Sequence, residues 1–234
     1  TKGLAGYGSL VGLSLHHNTL AVENSLPHDT YKGDLTPAST TLYPSYQRGS
    51  QWMHGAAGDP EITDLSLSQS GVLAVTGDAT QLYNLAINNT SAADISHVSR
   101  SLVWLEPDHL VVYDRASSKT EGRFKRFFLN TQTLASIAGG APGTSTGTDA
   151  DLAPAGAAMN SFSGLVPPGG LLSTALVHPV AEKPKGAAMP EQQLFLTTLL
   201  PAKVTVRASP PEALGKEPLT VDPMKFLIQV EASR

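Results

Sequence analysis

The sequence has no cysteine, few charged side chains and no long apolar run. Without cysteine the chain can form no disulfide, thiolate metal site or cysteine nucleophile. Only 15% of its 234 residues are charged and the formal net charge is -4, so nothing in the composition favours binding to nucleic acid or to anionic membranes. No apolar stretch approaches the ~20 residues of a membrane-spanning helix. A weakly charged composition of this kind is common outside the cytoplasm.

Helical periodicity is also scarce, because apolar residues do not recur at i, i+3, i+4 and i+7 over three turns. Short alternating or apolar runs bounded by Gly, Pro, Asn and Asp are present instead. They predict an all-β chain with few or no helices, folded as an antiparallel β-sandwich. The predicted strands are 20–23, 71–76, 98–105, 109–114, 123–130, 171–178, 193–200, 203–208 and 225–231.

Turn chemistry predicts how some of these strands are connected. Glu106-Pro107-Asp108 is typical of a tight turn and predicts a hairpin, and the following run 123–130 would extend it to a meander. Pro201-Ala202 predicts a second hairpin. The stretches 139–156 and 180–190 are rich in small and turn-forming residues and are predicted as long loops. No break in composition divides the chain, so residues 1–234 are interpreted as one domain.

Three motif segments follow one another along the chain: His16-His17-Asn18-Thr19-Leu20, Thr76-Gly77-Asp78-Ala79-Thr80-Gln81-Leu82-Tyr83, and the segment from Arg100 to Arg115. Their order and spacing resemble the C-terminal sheet domain of heparinase II/III-like proteins and related alginate lyases. The resemblance covers most of the chain and implies a large antiparallel β-sandwich of the super-sandwich type. Asp78, Asp114 and Arg115 are interpreted as structural, with the last two ending a strand as a turn-forming carboxylate and a surface ion pair.

The resemblance implies a bacterial enzyme of the periplasm or the secreted fraction. Members of the family pair an N-terminal helical toroid with a sheet domain and cleave acidic polysaccharides by β-elimination. The toroid is absent from this chain, which begins in a loop without an initiator Met. We therefore expect a mature product, a fragment or a partial polypeptide that is inactive alone and needs the toroid segment or a partner chain.

The resemblance also implies that His17 is one of the three ligands of a zinc ion held by two His and one Asp. A neutral imidazole suits Zn²⁺. The alternative is an ordinary polar residue at the entrance to a strand. The other two ligands belong to a segment that precedes Thr1 in family members, so we expect the isolated chain to bind no stoichiometric zinc.

Four further residues are candidates for polysaccharide chemistry. Tyr7 is positioned like an active-site tyrosine of some relatives and would act as base or acid, unless it only packs on a sheet edge. Arg48, Trp52 and His54 lie in a polar stretch that would hold sugar rings and uronate carboxylates, or would simply cap the core.

Two other interpretations stay open at this stage. The first is a non-catalytic carbohydrate-binding or structural β-sandwich of an extracellular or envelope assembly, and the second is a sugar-processing enzyme with a related, mutarotase-like sandwich. The basic residues Arg123, Lys125 and Arg126, which alternate with phenylalanines, are predicted to form a solvated strand face. The polysaccharide and the oligomeric state do not follow from the sequence.

Overall fold

The computed structural model describes residues 14, 17–24, 49, 51, 59–67, 71–87, 90–148, 150–177, 192–210 and 226–232. Within these residues the structure consists of antiparallel strands and short 3-10 turns, and no α-helix occurs among them, so the prediction of an all-β chain is confirmed. The early strands are β1 (Leu20–Val22), β2 (Glu61–Leu67), β3 (Val72–Asp78), β4 (Leu85–Ile87), β5 (Thr90–Ala92), β6 (Ile95–Leu105), β7 (His109–Ser118) and β8 (Lys125–Thr131). The later strands are β9 (Ser136–Ile137), β10 (Ala141–Thr144), β11 (Ala158–Leu165), β12 (Leu171–Val177), β13 (Gln192–Thr198), β14 (Lys203–Ser209) and β15 (Phe226–Ala232). None of the described helical segments is long and apolar enough to cross a membrane.

The chain divides into two compact units. Unit 1 consists of Thr1–Ser14 and Leu20–Lys125, and unit 2 consists of Leu15–Thr19 and Arg126–Arg234. Whether the two units together form the one domain predicted for residues 1–234 is not decided by this division, and the single domain stays a prediction.

Unit 1 contains a four-stranded sheet in the order β2-β3-β6-β7 and a separate β4-β5 hairpin. The hairpin predicted at Glu106-Pro107-Asp108 is confirmed, since Leu105 pairs with His109 across it. A β-bulge between Ile62 and Asp64 interrupts the register of β2 against β3. The sheet has one strongly apolar side, because directly paired residues share a face and every second residue returns to it.

We call this side the apolar face. Its members are Ile62, Leu65, Leu67, Leu73, Val75, Leu102, Trp104, Leu110 and Val112. The opposite side carries most of the Ser, Thr and charged residues of the sheet together with several apolar ones, and we call it the polar face. Its polar members include Glu61, Asp64, Ser66, Thr76, Asp78, Ser99, Ser101 and Arg115, and its apolar members are Val72, Ala74, Val103, Leu105, Val111 and Tyr113. Sequence alternation therefore gives this sheet two chemically distinct surfaces.

Unit 2 is a β-sandwich. One sheet contains β8-β15-β14-β11-β10 in that order, and a second contains β13-β12-β9. Side chains of both sheets meet in one core, whose buried members are Ala135, Ile137, Leu171, Ala175, Val204, Val206, Ala208, Ile228 and Val230. Burial of each large aliphatic side chain contributes roughly 1.5–3 kcal/mol, so this core is the main source of stability for unit 2.

The predicted second hairpin is wrong. β13 pairs with β12, with Thr198 opposite Leu171, whereas β14 pairs with β11 and β15 in the other sheet. The chain thus changes sheets at Pro201-Ala202, where Ala202 O accepts a hydrogen bond from Val166 N at 2.9 Å. Proline has no N–H to donate to a β-ladder, so β13 ends before Pro201. The strand that follows, β14, is then free to pair in the other sheet.

The predicted meander is also wrong in its last step. β8 pairs with β15, a strand about 100 residues further along the chain, and belongs to the sheet of unit 2. A local sequence pattern carries no information on such distant pairing, because it is decided by packing in the folded chain.

The segment 139–156, predicted as a long loop, contains the short strand β10. The turn after β10 is organised by Asp151, whose Oδ2 accepts hydrogen bonds from Thr146 N at 2.9 Å and from the Thr146 hydroxyl. Arg207 lies 3.4 Å from the other carboxylate oxygen. The segment 180–190 lies outside the described residues.

Candidate functional site

The second motif segment ends β3 and starts a 3-10 turn over Thr80–Tyr83. Asp78 Oδ1 accepts a hydrogen bond from Thr80 N at 2.8 Å, which is the local bonding that an aspartate offers to a turn. Thr80 Oγ1 in turn accepts a hydrogen bond from Val98 N at 2.9 Å. Asp78 therefore stabilises the turn itself, and Thr80 binds the turn to β6.

Tyr83, the last residue of that motif, is fully buried in unit 1. Its hydroxyl donates to Leu20 O at 2.8 Å and accepts from Gln51 Nε2 at 2.9 Å, while its carbonyl accepts from Asn24 Nδ2 at 3.1 Å. One aromatic side chain thus connects three stretches of unit 1 that are far apart in sequence. Buried tyrosine hydroxyls generally require such partners.

The third motif segment contains a two-point ion pair. Arg100 Nε and Nη2 lie 2.7 and 2.8 Å from the two carboxylate oxygens of Asp114, directly across β6 and β7. The expectation that Asp114 and Arg115 end their strand is wrong, because β7 continues to Ser118. Arg115 instead lies over the ring of Tyr113, 5.9 Å from its centroid.

His17 lies in the exposed segment that precedes β1. Its carbonyl accepts a hydrogen bond from Thr19 N at 2.9 Å, and the neighbouring Asn18 Oδ1 accepts from Asn130 N at 2.8 Å within unit 2. Residues 17–19 therefore form a turn in which Asn18 binds the backbone of β8 and His17 lies at the surface.

Tyr7, Arg48, Trp52 and His54 lie outside the described residues. Gly49, next to Arg48, and Gln51, next to Trp52, are described. Gly49 O accepts from Val22 N at 2.9 Å, and Gln51 N donates to Ser14 Oγ at 3.0 Å. Gly49 has φ +82° and a Cβ there would lie 2.8 Å from the Phe124 ring, so only glycine fits without strain.

Sequence reasoning did not single out a group on the polar face of unit 1. His97 Nε2 is 2.8 Å from Ser99 Oγ, and His97 Nδ1 is 3.7 Å from Asp78 Oδ2. The order of contacts is that of a Ser-His-Asp triad. The Asp–His distance is too long for a hydrogen bond, however, and Ser99 is buried, so the group can order the polar face but offers no accessible nucleophile. The β3-β6 register brings Asp78 to His97 and Ser99, and no local sequence pattern reports that pairing.

Arg123 in unit 1 lies close to two buried acidic side chains. Arg123 lies 3.0 Å from Asp94 and 3.5 Å from Glu23, and Thr120 Oγ1 donates to Asp94 at 2.6 Å. Burial alone would raise the pKa of Asp94, but the hydrogen bonds from Thr120 and Arg123 and the arginine charge outweigh it, so the pKa lies below its ordinary value. Ionised Asp94 therefore stabilises unit 1.

We expect Asp94→Asn to lower the free energy of unfolding of unit 1 by about 1–3 kcal/mol at pH 7. Because the folded pKa is depressed, the contribution of the carboxylate is present above its unfolded pKa and is lost as the pH falls through the folded value. Urea unfolding between pH 7 and pH 3 should show the difference from wild type shrinking towards the acid end. Asp108→Asn, on the exposed β6-β7 turn, is the matched control. A difference for Asp94→Asn that stays constant with pH would contradict this account.

Neither protein-family models nor curated proteins match this chain.

The described residues do not assemble a zinc site. No group of three His, Cys, Asp or Glu side chains that could hold a metal ion occurs among them, and His17 contributes a single imidazole. One nitrogen ligand is too few for a structural or catalytic zinc, each of which takes at least three protein ligands. The expectation that the isolated chain binds no stoichiometric zinc stays a prediction, testable by elemental analysis.

Proposed function

We propose that this chain is the sheet part of a polysaccharide lyase resembling the heparinase II/III family, which acts on uronate-containing polysaccharide by β-elimination and is silent alone. The supporting observation is that Leu20, the last residue of the first motif segment, is connected within unit 1 to the second and third segments. The Tyr83 hydroxyl of the second segment donates to Leu20 O, and Gly77 of the second segment pairs with Arg100 of the third.

The chemistry proposed is removal of the C5 proton of a uronate, whose C–H electrons form a C4=C5 double bond as the C4–O bond to the neighbouring sugar breaks. The departing oxygen takes up a proton and becomes a hydroxyl. Tyr7 is the proposed base, since a phenol with lowered pKa can take that proton. Arg48 is proposed to neutralise the uronate carboxylate, which makes the C5 proton more acidic, and Trp52 and His54 are proposed to hold the sugar ring. No step is assigned to a metal ion.

A second candidate function is a non-catalytic carbohydrate-binding or structural module of an extracellular or envelope assembly. The apolar face favours it, because seven of its side chains are more than a third exposed. Monomeric soluble proteins rarely present so large an apolar patch without a partner. This candidate needs no catalytic residue and predicts no bond cleavage by any form of the protein.

An ultraviolet assay for the unsaturated uronate product separates the two candidates. The isolated chain and the complete polypeptide encoded by its gene are incubated with a panel of uronate polysaccharides. We expect the complete polypeptide to be active, Tyr7→Phe to lower kcat about 100-fold or more, and the isolated chain to be silent. Tyr113→Phe, on the polar face, is the matched control and should leave kcat unchanged. Activity of the isolated chain, or none in the complete polypeptide with any substrate, would contradict the lyase proposal.

A further inference from the structure

The apolar face of unit 1 is a continuous surface that extends across four strands. One row across the sheet consists of Leu67, Leu73, Trp104 and Leu110, which are opposite one another in register. The next row consists of Leu65, Val75, Leu102 and Val112. Both edge strands contribute their most exposed large apolar side chains, Leu67 at 79% and Leu110 at 56%.

The exposed area of this face is that of a protein interface. The exposed fractions are 70% for Ile62, 66% for Leu65, 79% for Leu67, 39% for Leu73, 38% for Trp104, 56% for Leu110 and 38% for Val112. With roughly 200 Å² for a fully exposed large side chain, these residues present on the order of 800 Å². A stable dimer buries about 800 Å² per partner, whereas the largest patch on a typical monomer is about 300–600 Å².

The charge on this face is compatible with an identical face as partner. Its charged residues lie in the third row, where Arg100 and Asp114 neutralise each other at 2.7 and 2.8 Å. An uncompensated charge would be repelled by its own copy across a two-fold axis, but an internally paired one is not. The face is therefore electrically neutral as well as apolar.

We propose that a second copy of this chain packs on the apolar face, giving a two-fold symmetric dimer in which the two sheets lie face to face. Sheets stack about 10 Å apart with their strands within roughly 30° of parallel, and side chains from both interdigitate. In a two-fold interface each favourable contact occurs twice, so one apolar patch serves both partners. The proposal does not depend on catalysis, and its failure would leave the lyase proposal unaffected.

Sedimentation equilibrium of the isolated chain between about 1 and 100 μM tests the dimer. Wild type is expected to dimerise, and Leu67→Asp with Leu110→Asp is expected to raise the dimer Kd at least about tenfold. Both side chains are largely exposed, so circular dichroism should show an unchanged fold. The matched control is Leu165→Asp, because Leu165 is 73% exposed but belongs to unit 2; it should remain dimeric.

A cross-linking experiment identifies the surface used. Because the chain has no cysteine, Leu102→Cys places a single thiol at the middle of the apolar face. A bifunctional maleimide of about 10 Å reach should join two copies there, and Leu165→Cys should give no cross-linked dimer. A wild type that is monomeric throughout the range, or a dimer insensitive to the two aspartates, would overturn the proposal.

Discussion

Replacing Tyr83 with phenylalanine is expected to lower the free energy of unfolding of unit 1 by about 1–3 kcal/mol, the usual result of leaving buried polar groups without a partner. The ring would stay in place, so no cavity forms and the effect belongs to the hydroxyl. That hydroxyl donates to Leu20 O and accepts from Gln51 Nε2. Denaturant unfolding followed by tryptophan fluorescence measures the change. Tyr83→Ala, which adds a cavity, should cost about 3–5 kcal/mol.

Tyr113→Phe is the matched control for Tyr83→Phe. Tyr113 lies on the polar face and is 48% exposed, so loss of its hydroxyl should change stability by less than about 0.5 kcal/mol. If the two phenylalanine variants were equally stable, the role of Tyr83 in connecting the first two motif segments would have to be abandoned.

Arg126→Met is expected to destabilise unit 2 by about 3 kcal/mol, because it leaves a carboxylate without its ion-pair partner in a largely buried place. Arg126 Nε lies 2.8 Å from Glu231 Oε2, and the two side chains are only 5% and 17% exposed. The prediction that Arg126 belongs to a solvated strand face is therefore wrong. Arg123 and Lys125 alternate as in a surface strand, but Arg126 directly follows Lys125 and therefore lies on the opposite face. Glu231 of β15 is its register partner.

The double variant Arg126→Met with Glu231→Met separates the cost of an orphaned charge from the strength of the ion pair. Replacing both members of a buried pair by apolar residues is often neutral or stabilising, so the double variant should recover most of the loss. Lys203→Met, at an exposed position of β14 in the same sheet, is the control for removal of a positive charge. Additive losses in the double variant would contradict the assignment.

Local sequence patterns predicted the strands whose alternation is regular, and missed those where it is disturbed. The prediction missed β2 because Ile62 is three positions before Leu65, so its apolar residues Ile62, Leu65 and Leu67 do not alternate strictly. The bulge between Ile62 and Asp64 places all three on one face of the sheet. β10 contains Pro142 and Gly143, which read as loop but are tolerated in an edge strand. Such segments become strands because they pair with neighbouring strands, and their own sequence pattern does not predict it.

Pairing between distant strands was the second limit of sequence reasoning. The turn at Pro107 is local and was predicted, whereas Pro201 joins two strands that belong to different sheets. Both segments look alike in sequence, with two alternating runs separated by a proline. Packing of Leu196 and Val204 into the shared core of unit 2 decides the second case.

The candidate site was predicted in part. His17, Asn18, Asp78 and Tyr83 were located in the sequence by motif, but their contacts required the fold. Asp114 was expected beside Arg115 as its ion partner, and its actual partner is Arg100, fourteen residues earlier and directly opposite in register. Likewise, His97 lies near Asp78 because β3 pairs with β6, and residue spacing in the sequence does not predict that pairing.

The most direct test of the proposed chemistry is the mass of the oligosaccharides released by the complete polypeptide from a uronate polysaccharide. β-Elimination leaves a double bond at the new non-reducing end, so each product that carries such an end should be lighter by one water than the corresponding hydrolysis product. That mass, together with no product from the isolated chain, is the result we predict. Exclusively hydrated products, or an intact polymer after incubation with the complete polypeptide, would contradict it.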